Sequence, residues 1–152
     1  MQIRKARIHD VEQIHRLINS YAAEGLMLPR SLSMLYESLR DFVVAQDGPR
    51  VVGTGALHIV WEDLAEVRAV AVDPAYTRRG IGKRLVEALL AEAGELGIPR
   101  VFALTYQPGF FQRCGFRPIA KEELPQKVWR DCINCPKFPH CDEVALILDL
   151  RS

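Results

Sequence analysis

No apolar run in this chain approaches the roughly 20 residues of a membrane span, and the N-terminal MQIRKARIHD has no apolar core of the kind a signal peptide carries. A soluble, cytoplasmic protein without a membrane partner is the expectation. Charge of one sign is also lacking: the formal net charge is +1 at pH 7, which argues against general nucleic-acid binding. There is no internal repeat and no low-complexity linker. The 152 residues, 49% of them hydrophobic, are therefore read as a single domain over 1–152 with one substantial core. Two nucleotide-binding motifs are missing as well. A Walker loop needs four residues between its first Gly and a Gly-Lys-Ser/Thr, and none is present. A dinucleotide fingerprint needs Gly-x-Gly-x-x-Gly after a first strand, whereas Gly80-Ile81-Gly82 lies mid-chain and runs on into Arg84 and Leu85.

What is present is a run from Glu66 to Leu90, EVRAVAVDPAYTRRGIGKRLVEALL. Val67, Val70 and Val72 suit a strand, and Pro74 stops it. Gly80 and Gly82 let the chain curl tightly and bring its amides against a ligand, while Ile81 anchors the loop in the core. A helix with Leu85, Val86, Leu89 and Leu90 on one face then points its unpaired N-terminal N–H groups at the same spot. Arg78, Arg79, Lys83 and Arg84 add positive charge around it. A pyrophosphate is the ligand this arrangement suits best.

The rest of the chain reads as strands separated by helices. A first strand covers Gln2 to Ala6, and Asp10 is positioned to cap a helix with Val11, Ile14, Leu17 and Ile18 at helical spacing. After Gly25 the segment LMLPRS breaks that helix, and Ser31 caps a second one through Leu39. Strands at Phe42 to Gln46 and Arg50 to Val60 flank the turn Asp47-Gly48-Pro49. Further strands fall at Val101 to Leu104, Gly115 to Ile119 and Val144 to Leu150, with a short helix at Phe110 to Cys114. This pattern predicts an α/β fold, a mixed sheet with helices on both faces.

The stretch Thr77-Arg78-Arg79-Gly80-Ile81-Gly82 resembles the coenzyme A-binding signature Gln/Arg-x-x-Gly-x-Gly/Ala of the GNAT family of N-acetyltransferases, with Thr77 departing from the usual first residue. The resemblance extends from Ile3 to about Leu150. It implies the GNAT fold, a mostly antiparallel mixed sheet whose central parallel strands, here Glu66 to Val72 and Val101 to Leu104, splay apart to admit acetyl-CoA. The backbone of Val70, Ala71 and Val72 is then expected to pair with the pantetheine arm. Many members use a Tyr in a segment such as Phe-Tyr-x-x-x-Gly-Phe to protonate the leaving thiolate. Here Phe111 holds that position, in Phe110-Phe111-Gln112-Arg113-Cys114-Gly115-Phe116.

That segment, together with Leu28-Pro29-Arg30-Ser31, Glu66-Val67-Arg68-Ala69-Val70 and Glu123-Leu124-Pro125-Gln126-Lys127, resembles the N-acetylglutamate synthase branch of the family. The resemblance implies that Arg30 contacts a glutamate carboxylate, helped by Lys127 or Arg130. It also implies a short form, without the amino acid kinase-like domain that supplies the arginine-binding site in long members. Chemistry makes compatible demands. An ammonium has no lone pair with which to attack a thioester, so a base is needed. Glu66, expected at the mouth of a central strand where partial burial raises a carboxyl pKa, is the candidate; its bland role is an ion pair with Arg68. Glutamate's two carboxylates call for at least two cationic or amide clamps. Thr105 and Tyr106 end a strand, where they either offer hydroxyls to the substrate or simply cap the strand.

The segment from about 121 to 142 reads as a Cys-rich insertion. Cys132-x-x-Cys135 is followed by His140 and Cys141, a set able to hold structural zinc, with Cys114 as another source of the fourth ligand. A second CxxC is lacking, and reduced thiols or a redox-sensitive pair remain alternatives. Three function classes stay open: acetylation of the α-amine of glutamate from acetyl-CoA, as the first committed step toward arginine; acetylation of another amine (a different amino acid, a polyamine or a protein N-terminus); and a non-catalytic acyl-CoA-binding module. Many GNAT domains pair, so a homodimer is a further expectation.

Overall fold

The computed structural model describes residues 1–125 and 143–150. The strands are β1 (Gln2–Lys5), β2 (Phe42–Asp47), β3 (Arg50–Trp61), β4 (Leu64–Val72), β5 (Arg100–Thr105), β6 (Arg117–Ile119) and β7 (Val144–Asp149), and the α-helices are α1 (Val11–Ala23), α2 (Leu32–Glu37), α3 (Ile81–Glu95) and α4 (Pro108–Arg113). One seven-stranded sheet runs in the order β1-β2-β3-β4-β5-β7-β6. Among the described residues only β4 and β5 pair in parallel; the other neighbours are antiparallel.

Strand alternation sends side chains to two cores. On one face, Val43, Ala45, Val52, Leu57 and Val67 meet Ile81, Leu85, Val86, Leu89 and Ala93 of α3. On the other, Phe42, Val44, Val51, Ala56 and Ala71 meet Val11, Ile14, Leu17 and Ile18 of α1. α1 buries Val11, Ile14, Leu17 and Ile18 as expected, and α3 buries Leu85, Val86 and Leu89, with Leu90 of the same expected face only partly buried. Leu85, Val86 and Leu89 are fully buried, each contributing about 1.5–3 kcal/mol of transfer free energy. A third cluster of Leu64, Phe102, Leu124, Ala145 and Ile147 closes the far half of the sheet. Among the described residues no helix is long and apolar enough to cross a membrane.

Two expectations about helix starts diverge. Ser31 caps α2 as expected, its Oγ accepting from Met34 N at 3.1 Å. Asp10 precedes α1 but makes no capping bond to it. Its carboxylate is drawn instead into a bidentate pair with Arg4 at 2.8 and 3.0 Å and accepts from Arg7 N at 2.7 Å. With Asp10 only 1% exposed, burial pushes the carboxyl pKa up, but the Arg4 and Arg7 hydrogen bonds outweigh it and hold the group below its usual value. The strands meeting at the β3–β4 hairpin are longer than predicted, to Trp61 and from Leu64, since cross-strand pairing continues nearly to the turn.

Candidate active site

β4 and β5 are in register only at Leu64–Arg100, Ala65–Val101 and Glu66–Phe102. Beyond Glu66 each strand continues, β4 to Val72 and β5 to Thr105, but they no longer pair with each other. The sheet splits there, and a cleft of about 740 Å³ opens between them. Glu66 therefore stands at the apex of the split, its side chain 15% exposed and its Oε1 3.5 Å from Arg68 Nε. Residues i and i+2 of a strand share a face, so catalytic candidate and ion-pair partner line the same cleft. The ion pair suggested as the bland role of Glu66 is present, and it lies in the cleft.

Downstream of Glu66 the strand is distorted. Arg68 opposes Ala56 and Ala71 opposes Thr54, so Ala69 and Val70 together face the single residue Gly55. This is a β-bulge, and Ala69 is held at φ 58°. A side chain in that region stores strain. After the bulge, Asp73 N donates to Val52 O at 2.7 Å while Gly53 lies opposite Val72. Gly53 and Val72 are therefore a non-hydrogen-bonded pair, which turns the peptide groups of Val72 into the gap and those of Ala71 toward Thr54. Tyr21, on α1, reaches across and donates its hydroxyl to Val72 O at 2.5 Å. Burial, with the charges of Glu24 and Asp73, pushes the Tyr21 pKa up, so the phenol remains a donor.

β4 ends in a turn fixed by Asp73, whose Oδ1 accepts from Ala75 N at 2.9 Å. The loop then places Arg78 at φ 66° and Gly80 at φ 76°. Left-handed residues set between right-handed or extended ones make successive N–H groups converge on a concavity. Among the described residues no side chain caps α3, and its first backbone bond runs from Arg84 N to Gly80 O at 3.1 Å. The amides of Ile81, Gly82 and Lys83 are left as the orphan donors of a 15-residue helix. Arg78, Gly80, Ile81, Gly82 and Lys83 all line the cleft, with Ile81 buried as its anchor. Arg79 does not line it; its guanidinium lies 4.9 Å over the ring of Tyr76, whose hydroxyl donates to Asp47 at 2.7 Å.

Gly82 has a role its motif did not suggest. A Cβ there would come within 3.1 Å of Phe110 Cε1 and 3.2 Å of Cζ. Phe110 stands edge-on to Phe111, with centroids 5.1 Å apart, and Phe111 is edge-on to Phe116 at 5.3 Å. The missing side chain lets an aromatic stack close the cleft floor, and Phe111 belongs to that stack.

Another part of the cleft lining comes from the loop after α1. Asn19 clamps Arg30 through its backbone, Nδ2 donating to Arg30 O at 3.0 Å and Oδ1 accepting from Arg30 N at 3.2 Å. Arg30 lines the same cleft as Glu66 and Arg68, among Leu26, Met27 and Leu28. Thr105 also lines it, but its Oγ1 accepts from Gln107 N at 2.9 Å and caps the strand end. Cys114 faces the cleft as well, and burial pushes its thiol pKa up. Lys127, Arg130, Cys132, Cys135, His140 and Cys141 lie outside the described residues, among which no cluster able to hold a metal occurs.

The fold, the split and the uncapped glycine-led helix thus converge on one cleft. Residues 8–116 match the model of the GNAT family of acetyltransferases. The chain belongs to the GNAT family. It is similar to an amino-acid acetyltransferase of Mycobacterium tuberculosis, 46% identical over 130 residues covering 84% of this chain and 74% of that protein. Among solved structures it resembles Rv2747 of Mycobacterium tuberculosis in complex with CoA and NLQ, with a TM-score of 0.86, 36% identity and 99% of both chains covered. It also resembles the N-acetylglutamate synthase of Neisseria gonorrhoeae complexed with coenzyme A and N-acetyl-glutamate, with a TM-score of 0.90 and 27% identity. The match to that synthase covers 99% of this chain and 35% of the other. The protein is an acetyl-CoA-dependent N-acetyltransferase of GNAT type, and the donor set fits that cosubstrate: orphan helix amides and Lys83 for a pyrophosphate, and the open edge of β4 for an amide-bearing arm.

Proposed function

We propose that this GNAT domain acetylates the α-amine of L-glutamate. The observation that carries the reading is the company Glu66 keeps: an apolar-walled cleft that it shares with the guanidiniums of Arg30 and Arg68, among four arginines and two glutamates, Glu66 and Glu143, on its lining. A dicarboxylate amino acid needs two cationic clamps, and planar guanidiniums bind carboxylates bidentately. A polyamine, bearing only positive charge, is repelled by the same pair. The names of the relative from Mycobacterium tuberculosis and of the synthase from Neisseria gonorrhoeae support an amino acid and glutamate respectively.

In this reading Arg30 and Arg68 hold the acceptor's carboxylates and Glu66 takes a proton from its ammonium, directly or through water, freeing the lone pair. Acetyl-CoA supplies the electrophilic acyl carbon. The backbone of β4 at the bulge near Val70 donates to the acyl oxygen as it gains charge. The new bond is N–C and the broken bond is C–S. The thiolate departs without a strong acid, being far less basic than an alkoxide; the nitrogen gives up its second proton to solvent as the C–S bond breaks, and the thiolate takes one from solvent, while Phe111, buried in its aromatic stack, has no proton to give.

Following thiol release from acetyl-CoA with glutamate, glutamine, aspartate, neutral amino acids and spermidine tests the assignment. Glutamate is expected to have the highest kcat/KM, and indifference between glutamate and neutral amino acids overturns the reading. Arg30→Ala is expected to raise the glutamate KM at least tenfold, about 1.4 kcal/mol, while leaving the acetyl-CoA KM within twofold of the wild type, on the order of experimental scatter.

A further inference from the structure

Strand interiors favour β-branched and aromatic residues, and glycine weakens them because it brings no side chain to pack. β3 nevertheless carries a buried Gly53, set between Ala45 of β2 and Val72 of β4. Its φ is not positive, so what the position uses is the missing side chain. A Cβ at Gly53 would point at α3, 3.0 Å from Leu85 Cδ1 and 3.2 Å from Ile81 Cγ2, with Ala45 Cβ at 3.4 Å. Leu85 and Ile81 are 0% and 1% exposed, so neither has open space to turn into. Ile81 is held more firmly. Its Cγ2 is bonded directly to Cβ, and a β-branched side chain in a helix has one strongly preferred χ1. That methyl group retreats only if the backbone moves with it, and Ile81 is the first residue of α3, where the orphan amides begin. Beside it, a Cβ on Gly82 would stand 3.8 Å from Val72 Cγ2. The first turn of α3 thus rests on Gly53 and Val72, opposite neighbours in the β3–β4 ladder.

We propose that Gly53 is a positioning residue of the anion site: its missing side chain is the seat that sets how deeply the first turn of α3 sinks onto the sheet, and so where the orphan amides meet a pyrophosphate. Gly53 does not line the cleft; it acts through Ile81. Gly55, two residues on and on the same face of β3, provides the comparison. A Cβ there would meet Leu89 Cδ1 at 3.2 Å and Val70 Cγ2 at 3.4 Å. Leu89 lies roughly two turns beyond Ile81, so crowding at Gly55 presses on the middle of the helix and leaves its start in place. The place along α3 at which the methyl group lands, not overpacking as such, decides the effect on binding. This inference rests on the acetyl-CoA reading of the cleft and not on glutamate as acceptor.

The test sets Gly53→Ala beside Gly55→Ala, using calorimetric titration with CoA and steady-state kinetics with whichever amine the wild type accepts best. G53A is expected to bind CoA about three- to tenfold more weakly, less than the loss of one whole hydrogen bond to a charged group. The KM for acetyl-CoA should rise by a similar factor, while kcat at saturating acetyl-CoA stays within about twofold of the wild type. G55A is expected to keep its CoA Kd within about twofold, on the order of experimental scatter. Wild-type affinity in G53A overturns the proposal. So does an equal loss in G55A, since that marks a general effect of overpacking the core. If G53A alone does not fold, the comparison moves to a Leu85→Ala background, in which the atom at 3.0 Å is gone and the Ile81 contact remains. There G53A/L85A is expected to bind CoA about three- to tenfold more weakly than L85A, and equal affinity overturns the proposal. Titration of the wild type comes first and needs no acceptor amine. Absence of CoA binding there refutes the acetyl-CoA reading itself, whereas failure of the Gly53 inference leaves that binding intact.

Discussion

Replacing glycine by alanine at three positions in and beside α3 should give three different outcomes, because the same methyl group meets three different surroundings. At Gly94 nothing lies within 4 Å of the added Cβ and φ is ordinary, so the helix-propensity gain of about 0.8–1 kcal/mol is realised. For a chain of this size that raises Tm by about 2–4 °C. At Gly82 the same propensity gain is opposed by the Phe110 ring at 3.1 Å. Overpacking costs about 1–3 kcal/mol, so the net effect is a loss of about 0–2 kcal/mol. Phe110 cannot retreat freely, since Phe111 stands against it and is buried. At Gly80 no atom is near, but φ is 76°, and an L side chain there costs about 1–2 kcal/mol through the backbone alone. Thermal unfolding of the three variants ranks them G94A above wild type, wild type at or above G82A, and wild type above G80A. Calorimetry with CoA should show G94A unchanged and both other variants weakened, because their methyl groups lie on the cleft wall or distort the loop that forms it. If G82A melts as high as G94A, the steric account of Gly82 is wrong.

Glu66→Gln should lower kcat by about 100-fold to 10⁴-fold, the range for loss of a general base, while the Kd for CoA holds; retention of most of the activity would remove Glu66 from the mechanism. Asp10 supplies a pH test. Its pKa in the folded protein lies below the usual value of 3.8, so the stabilisation it gives is fully present above that value and is lost as pH falls through the lower folded one. Asp10→Asn leaves Arg4 facing a neutral partner and is expected to cost about 3 kcal/mol at pH 7. In urea titrations the gap between wild type and variant should narrow steadily toward pH 2, and a gap independent of pH would contradict the assignment.

The elements of this fold were readable where periodicity was long. Val11, Ile14, Leu17 and Ile18 announced α1, and the same series extended by one step reaches Tyr21, but nothing local indicates that its hydroxyl finds a carbonyl 51 residues away. The anion loop was legible because a helix N-terminus and its glycine are encoded in adjacent residues. The separation of β4 from β5 was not, since pairing across a parallel crossover depends on where α3 lands on the sheet; it came from the family resemblance. Charge alone could not separate Arg78 from Arg79. They are neighbours in the motif, yet only the first lines the cleft, because the second is held over the Tyr76 ring. Asp10 was misread as a cap because Arg4, brought close by β1, competes for its carboxylate. Arg68 stands two residues from Glu66, and strand alternation alone would have put it in the cleft.

The early parting of β4 and β5 also bears on self-association. An unpaired strand edge on the outside of a protein is a template for aggregation, and outer edges are commonly shortened, charged or covered for that reason. In this GNAT domain an open stretch of edge lies inside the sheet, beyond three paired positions, with packed helices on both faces and Leu26, Met27, Leu28 and Arg30 in the lining of the same cleft. A second sheet cannot enter so confined a slot, whereas a slender chain can. The same confinement that admits an amide-bearing arm therefore shields this edge from edge-to-edge polymerisation, and the domain carries an adhesive edge without exposing it.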